Sequence, residues 1–155
     1  MEDVDAVIAE RLRLLAEYVD ELQEYRRRAS NFRVYQENKM LRRAVERTLQ
    51  IAVENCLDIG RRLIALEGFR YPTDNKDVFQ VLMEEKVISR ALFPILLDMA
   101  RFRNLMVHDY AKVDDAKVYT ILQKRLGDFD AYARAIVNYL TAETSGEEAK
   151  SEGDG

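Results

Sequence analysis

His108 is the single histidine of the 155-residue chain, and it stands in dense chemical company. The stretch Arg103-Asn104-Leu105-Met106-Val107-His108-Asp109-Tyr110 places a guanidinium, an amide, an imidazole and a phenol within eight residues. Imidazole is the side chain whose unperturbed titration falls near neutral pH, so it can both take and give a proton there. The planar fork of arginine matches two phosphate oxygens. Arg103 and His108 together can therefore carry out phosphate chemistry by proton transfer and charge stabilisation. No metal or cofactor is expected. His108 and the only cysteine, Cys56, lie 52 positions apart with no local partners that would complete a ligand set. A phosphate-cradling glycine loop and a G-x-S-x-G elbow are both missing from the sequence.

The elements that position these residues are helices. Only two prolines and six glycines interrupt the chain, and no strand-like alternation or repeat is visible. Helical spacing of Val4, Ile8, Leu15, Tyr18, Leu22 and Tyr25 predicts a first helix over about 3–28. Ala29-Ser30-Asn31 reads as a break, with Asn31 or Asn38 as the cap that follows. A second helix over about 37–66 carries the stripe Leu41, Val45, Thr48, Ala52, Cys56, Ile59 and Leu63. Ile51, Val53, Leu57 and Ile64 make its other faces apolar too, which marks a central helix. Gly68 ends it. A short third helix is expected over about 75–86, and a fourth from Ser89 or Phe93 to His108. A fifth should run from Asp114 to about Thr141, lined by Val118, Ile121, Leu122, Phe129, Ile136, Val137 and Leu140. The reading is an all-α, four-to-five-helix up-down bundle over residues 1–141, followed by a disordered acidic tail over 142–155.

On a helical wheel, Leu92, Ile95, Leu96, Met99, Phe102 and Met106 of the fourth helix share one arc. Arg103 falls in that core arc and must snorkel or find an acid, for which Glu46, Glu54 and Asp58 are the candidates. The opposite arc carries Phe93, Leu97, Asn104 and His108. Two apolar faces on one helix fit either burial inside one domain or an interface with a second chain, with His108 and Asn104 lining it.

The formal net charge is −4, and the last fourteen residues, with five acids and one lysine, supply all of it. The remainder is close to neutral, so any polyanion site must be a local patch. Arg26-Arg27-Arg28 with Arg33, and Arg42-Arg43 with Arg47, are such patches; each fits a solvated helix face or a path for RNA. Phe69 and Tyr71 fit loop anchors or stacking platforms. The acidic start lacks an apolar leader segment, and no apolar run reaches the roughly 18 residues of a membrane span. A single cysteine suits a reducing compartment. The expectation is a cytoplasmic protein that does not enter membranes.

Arg103-Asn104-Leu105-Met106-Val107-His108-Asp109-Tyr110 resembles the R-x-x-x-x-H-x-Y motif of HepT-like toxins of the HEPN family, including the polar residue directly after the arginine. Asp109 to Asp114 resembles the family's stretch between its last two helices, and Arg43 to Glu54 its second helix. The likeness covers about residues 3–141. It implies a homodimeric helical bundle with both motif copies facing one cleft. It implies metal-independent RNA cleavage, with RNA and not DNA as substrate. The 2′-hydroxyl would attack the adjacent phosphate and leave a 2′,3′-cyclic phosphate and a 5′-hydroxyl. His108 would move protons, Arg103 would stabilise the phosphorane, and Asn104 would orient the motif or the phosphate. The resemblance also implies a cognate minimal nucleotidyltransferase antitoxin that adenylylates Tyr110. The alternative from another class is a non-catalytic helical binding subunit of such a nucleotidyltransferase. A plain structural dimer is a third reading, and it leaves the cluster of Arg, Asn, His and Tyr unexplained.

Overall fold

Residues 5–153 are described by the computed structural model, with side chains from 5 to 143. Among them run seven α-helices: α1 (Ala6–Arg28), α2 (Phe32–Glu37), α3 (Lys39–Glu67), α4 (Asn75–Glu84), α5 (Leu92–His108), α6 (Asp115–Lys124) and α7 (Gly127–Gly153). One 3-10 turn, Tyr110–Lys112, joins α5 to α6. The expected all-α bundle is present, with the expected fifth helix divided and the stretch between the first two expected helices divided off as a short helix of its own.

Each division has a local cause. Asn31 and Asn38 both cap: Asn31 Oδ1 accepts from the Val34 amide at 3.0 Å, and Asn38 Oδ1 from the Leu41 amide at 3.0 Å. Two successive caps cut off a short α2 that apolar periodicity did not reveal, seating the buried Tyr35. The expected fifth helix breaks at Arg125–Leu126, where Leu126 turns into the core and Arg125 Nε meets Asp128 Oδ2 at 2.8 Å. Helix α5 starts at Leu92, whose amide is held by Ser89 Oγ at 3.0 Å, and Gly68 ends α3 in the left-handed region at φ 69°. Val4 lies outside the described residues. The acidic tail predicted from residue 142 falls almost wholly outside the described side chains, while the backbone of α7 continues to Gly153.

Helix α3 is central, packing against α1, α2, α4, α5 and α6. All seven residues of its predicted stripe are buried, and so are Val53, Leu57 and Ile64. Its partners run in opposed directions. Arg62 pairs with Asp5, and Asn55 Nδ2 donates to the Arg11 carbonyl at 2.6 Å, so numbering on α1 rises as that on α3 falls. The same holds for α5, where Arg103 meets Glu54 and Tyr110 meets Glu46. Gly60 lets α4 come close: a Cβ there would sit 2.7 Å from Val78 Cγ1. Buried Tyr132 of α7 closes the core, its hydroxyl donating to the Cys56 carbonyl at 2.8 Å. None of the described helices is long and apolar enough to cross a membrane.

Candidate functional site

Antiparallel packing of α5 on α3 builds the site. Glu46 and Glu54 stand eight residues apart on α3, about 12 Å along its axis at 1.5 Å per residue and about 80° apart around it. Arg103 and Tyr110, seven positions apart at the end of α5 and in the turn beyond it, meet those carboxylates in reverse order.

Arg103 takes Glu54, one of its three candidate partners. Its Nε and Nη2 donate to Glu54 Oε1 at 3.2 and 3.1 Å, and Gln50 Nε2 donates to the same oxygen at 3.0 Å. The pair is half-buried, with side-chain exposures of 19% and 32%, so water still screens it. Arg103 Nη1 also donates to Asn104 Oδ1 at 3.3 Å, so the amide after the arginine helps fix the fork. The other two acids are engaged elsewhere. Asp58 faces Arg11 at 3.6 Å, and Glu46 serves Arg43 and Tyr110.

Glu46 is a contact that the sequence analysis missed in its present role. It is 6% exposed, and burial pushes its carboxyl above the usual range against the pull of Arg43. The Tyr110 hydroxyl donates to Glu46 Oε2, and Arg43 Nη1 donates to the same oxygen at 3.2 Å. The Arg43 guanidinium also lies over the Tyr110 ring, 5.1 Å from its centroid. The tyrosine is thus anchored at its oxygen while its residue stays 44% exposed.

His108 is the last residue of α5 and is exposed. Among the described residues it forms no hydrogen bond or ion pair. The helix then stops: the Asp109 amide bonds the Leu105 carbonyl at 2.9 Å, and Lys112 bridges to Asp109 at 3.0 Å. The structure thus gathers Arg103, Asn104, His108 and Tyr110 at one end of α5, with Glu54 and Glu46 beneath them. Among the described residues no group of three or more potential metal ligands is present.

The basic clusters separate into two kinds. Arg27 and Arg28 pair with Glu24, and Arg33 with Glu37, all on exposed helix faces. Arg43 belongs to the site itself, and exposed Arg47 lies one turn further along α3. The second arc of α5 is also divided. Phe93, on the arc that fitted either burial or a second chain, is partly buried against its own core. Leu97 and Leu105 are half-buried and lie outside the core cluster.

The site thus presents a tethered guanidinium and an unpaired imidazole at one helix end, groups that can bind an anion and exchange a proton. The model of the family described as Ribonuclease HepT-like matches residues 15–136, and the chain belongs to that family. It is similar to the mRNA nuclease HepT of Shewanella oneidensis, 28% identical over 102 residues, which are 66% of this chain and 77% of that protein. It is also similar to the tRNA nuclease HepT of Aphanizomenon flos-aquae, 24% identical over 141 residues, covering 90% and 95% of the two chains. Among solved structures, the tri-AMPylated Shewanella oneidensis HEPN toxin in complex with MNT antitoxin superposes with a TM-score of 0.80. The two share 24% identity over 87% of this chain and 99% of that one, a likeness of fold.

Proposed function

We propose that the chain is a metal-independent endoribonuclease toxin, working as a homodimer and silenced by a nucleotidyltransferase antitoxin that adenylylates Tyr110. The observation that carries this reading is the contrast at the end of α5: Arg103 is held by Glu54 and Asn104, whereas His108 is exposed and uncommitted. A transition-state clamp needs fixed placement, and a proton carrier needs access.

Cleavage by this route begins when one histidine takes the proton of a ribose 2′-hydroxyl. The oxygen attacks the adjacent phosphorus, and Arg103 stabilises the charge that develops on the phosphorane oxygens. The bond to the 5′-oxygen breaks, and a second acid returns a proton to it. The products are a 2′,3′-cyclic phosphate and a 5′-hydroxyl. Each chain has one histidine, so a second copy would supply the second proton carrier. Leu97 and Leu105, apolar and outside the core, flank Asn104 and His108 on the face that would meet that copy. Arg43 and Arg47 extend positive charge along α3 for the incoming strand. Esterification of the exposed Tyr110 would add phosphate and a nucleoside two residues from His108 and repel RNA. The names of the similar nucleases and the antitoxin complex of the similar toxin support this reading.

The test is cleavage of end-labelled cellular RNA by the purified chain in EDTA, with His108→Ala and Arg103→Ala beside it. The wild type should cut and leave cyclic phosphate ends, and both variants should be inert. EDTA-sensitive cleavage, or an active His108→Ala protein, would refute this mechanism and favour the non-catalytic binding subunit.

A further inference from the structure

The Tyr110 hydroxyl donates its one hydrogen to a carboxylate that has been carried out of water at evident cost. Glu46 is a buried acid on a helix that could seat an apolar residue there, as it does at Val45 and Leu49 on either side. What the carboxylate gains is a fixed relation to one phenol. Arg43 holds both groups, with Nη1 on Glu46 Oε2 and the guanidinium above the ring. The hydroxyl spends its one hydrogen on Glu46, which leaves the lone pairs of the phenolic oxygen free to meet an electrophile.

From this geometry we infer that Glu46 is the proton acceptor when Tyr110 receives a nucleotidyl group. The inference rests on the reading of Tyr110 as the acceptor of an antitoxin nucleotidyltransferase. The co-reactant is a nucleoside triphosphate presented by that enzyme. The phenolic oxygen attacks the α-phosphorus and forms the new O–P bond. The bond from the α-phosphorus to the bridging oxygen breaks, and pyrophosphate leaves with its electron pair. The phenolic proton passes along the existing hydrogen bond to Glu46 Oε2 and from there to solvent. Nothing is oxidised or reduced.

The surroundings of Glu46 suit a base. Burial raises the affinity of the carboxylate for a proton, and Asp115 of α6 raises it further; Arg43 and Arg42 of α3 oppose both. Tyr35 of α2 is the remaining titratable neighbour. Its hydroxyl is buried and has no hydrogen-bond partner among the described residues, and burial and the charge of Glu46 both hold it protonated. Tyr35 therefore does not compete as a nucleophile.

The experiment uses the full chain, the MNT antitoxin of the similar Shewanella oneidensis toxin as the nucleotidyltransferase, and ATP labelled at the α-phosphorus. Initial rates are taken for the wild type, Glu46→Gln, Glu46→Asp and Tyr110→Phe across a pH series. Glutamine keeps the shape and accepts the phenolic hydrogen but takes no proton. Its kcat for labelling should fall about 100-fold or more, with KM for the toxin unchanged. The aspartate variant, one methylene short, should fall between, and it keeps the test open if glutamine disturbs folding. The ratio of wild-type to glutamine rates should drop as pH falls through the titration of Glu46. Equal labelling of wild type and Glu46→Gln, or a change confined to KM, would overturn the role of Glu46. No label on the wild type, or equal labelling of Tyr110→Phe, would overturn the acceptor reading beneath it.

Discussion

Removing Glu54 should weaken the protein and its cleavage together, and the structure sets the size. Glu54 Oε1 accepts from Arg103 Nε, Arg103 Nη2 and Gln50 Nε2, at 3.0 to 3.2 Å. An exposed ion pair contributes about 0–1 kcal/mol, and breaking a fully buried one costs about 3–5 kcal/mol. With side-chain exposures of 19% and 32%, this pair lies between those limits. Glu54→Ala should therefore cost about 1–2 kcal/mol. In a chain of this length each kcal/mol lowers the melting temperature by about 2–4 °C. The same reasoning scales down the cost of Arg103→Ala from that of a buried pair. With Glu54 gone, Arg103 keeps only Asn104 at 3.3 Å, and its guanidinium can swing. Losing a similar 1–2 kcal/mol from the transition state would slow cleavage about five- to thirtyfold. Urea unfolding and single-turnover RNA cleavage measure the two effects, and a double-mutant cycle with Arg103→Met isolates the pair. Zero coupling in that cycle, with cleavage undiminished, would refute the claim that Glu54 aims Arg103.

Other expectations are simpler to check. His108→Ala should abolish cleavage yet stay within about 0.5 kcal/mol of wild-type stability, because the side chain is exposed and unpartnered; a large loss of stability would show that it packs. Sedimentation at micromolar concentration should give roughly twice the 18.1 kDa chain mass, and Leu97→Asp should shift it to one; a monomeric wild type would remove the shared cleft. Gly60→Ala should destabilise by about 1–3 kcal/mol, since the new methyl meets Val78 Cγ1 at 2.7 Å. An unchanged melting curve would mean that α4 can retreat without loss.

Legibility in the sequence followed the range of the interaction. Central α3 was readable because one segment carries its whole apolar pattern, from Leu41 to Leu63. The split at α2 was half-readable: Asn31 or Asn38 was expected as one cap, not both as two, and six residues are too few for a periodic signal. The break at Arg125–Leu126 was hidden because apolar positions continue in phase on either side of it, from Leu122 to Phe129. At the site, the Arg103-to-Tyr110 motif is local and stood out. Its supports are not local. Glu54 was one of three acids, and only the register of α5 on α3 selects it. Glu46 lies 64 positions from Tyr110, and nothing in its neighbourhood distinguishes a buried acid from a solvated one. A wheel records angle and ignores which neighbour covers which turn, so it left open the burial of Phe93 that the packing of α5 shows in part.

The two carboxylates beneath the motif come from one uninterrupted helix, and that has a consequence for how the chain can change in length. A helix behaves as a ruled screw. Deleting one residue between Glu46 and Glu54 would draw them about 1.5 Å closer and turn one against the other by about 100°. Either Arg103 or Tyr110 would then face an empty position, whichever register α5 kept. An insertion beside Tyr71, in the exposed link between α3 and α4, disturbs neither distance. Length variants obtained by selecting for toxicity should therefore cluster in that link and be absent from positions 46–54. The helix works as a gauge block against which the reactive end of α5 is set.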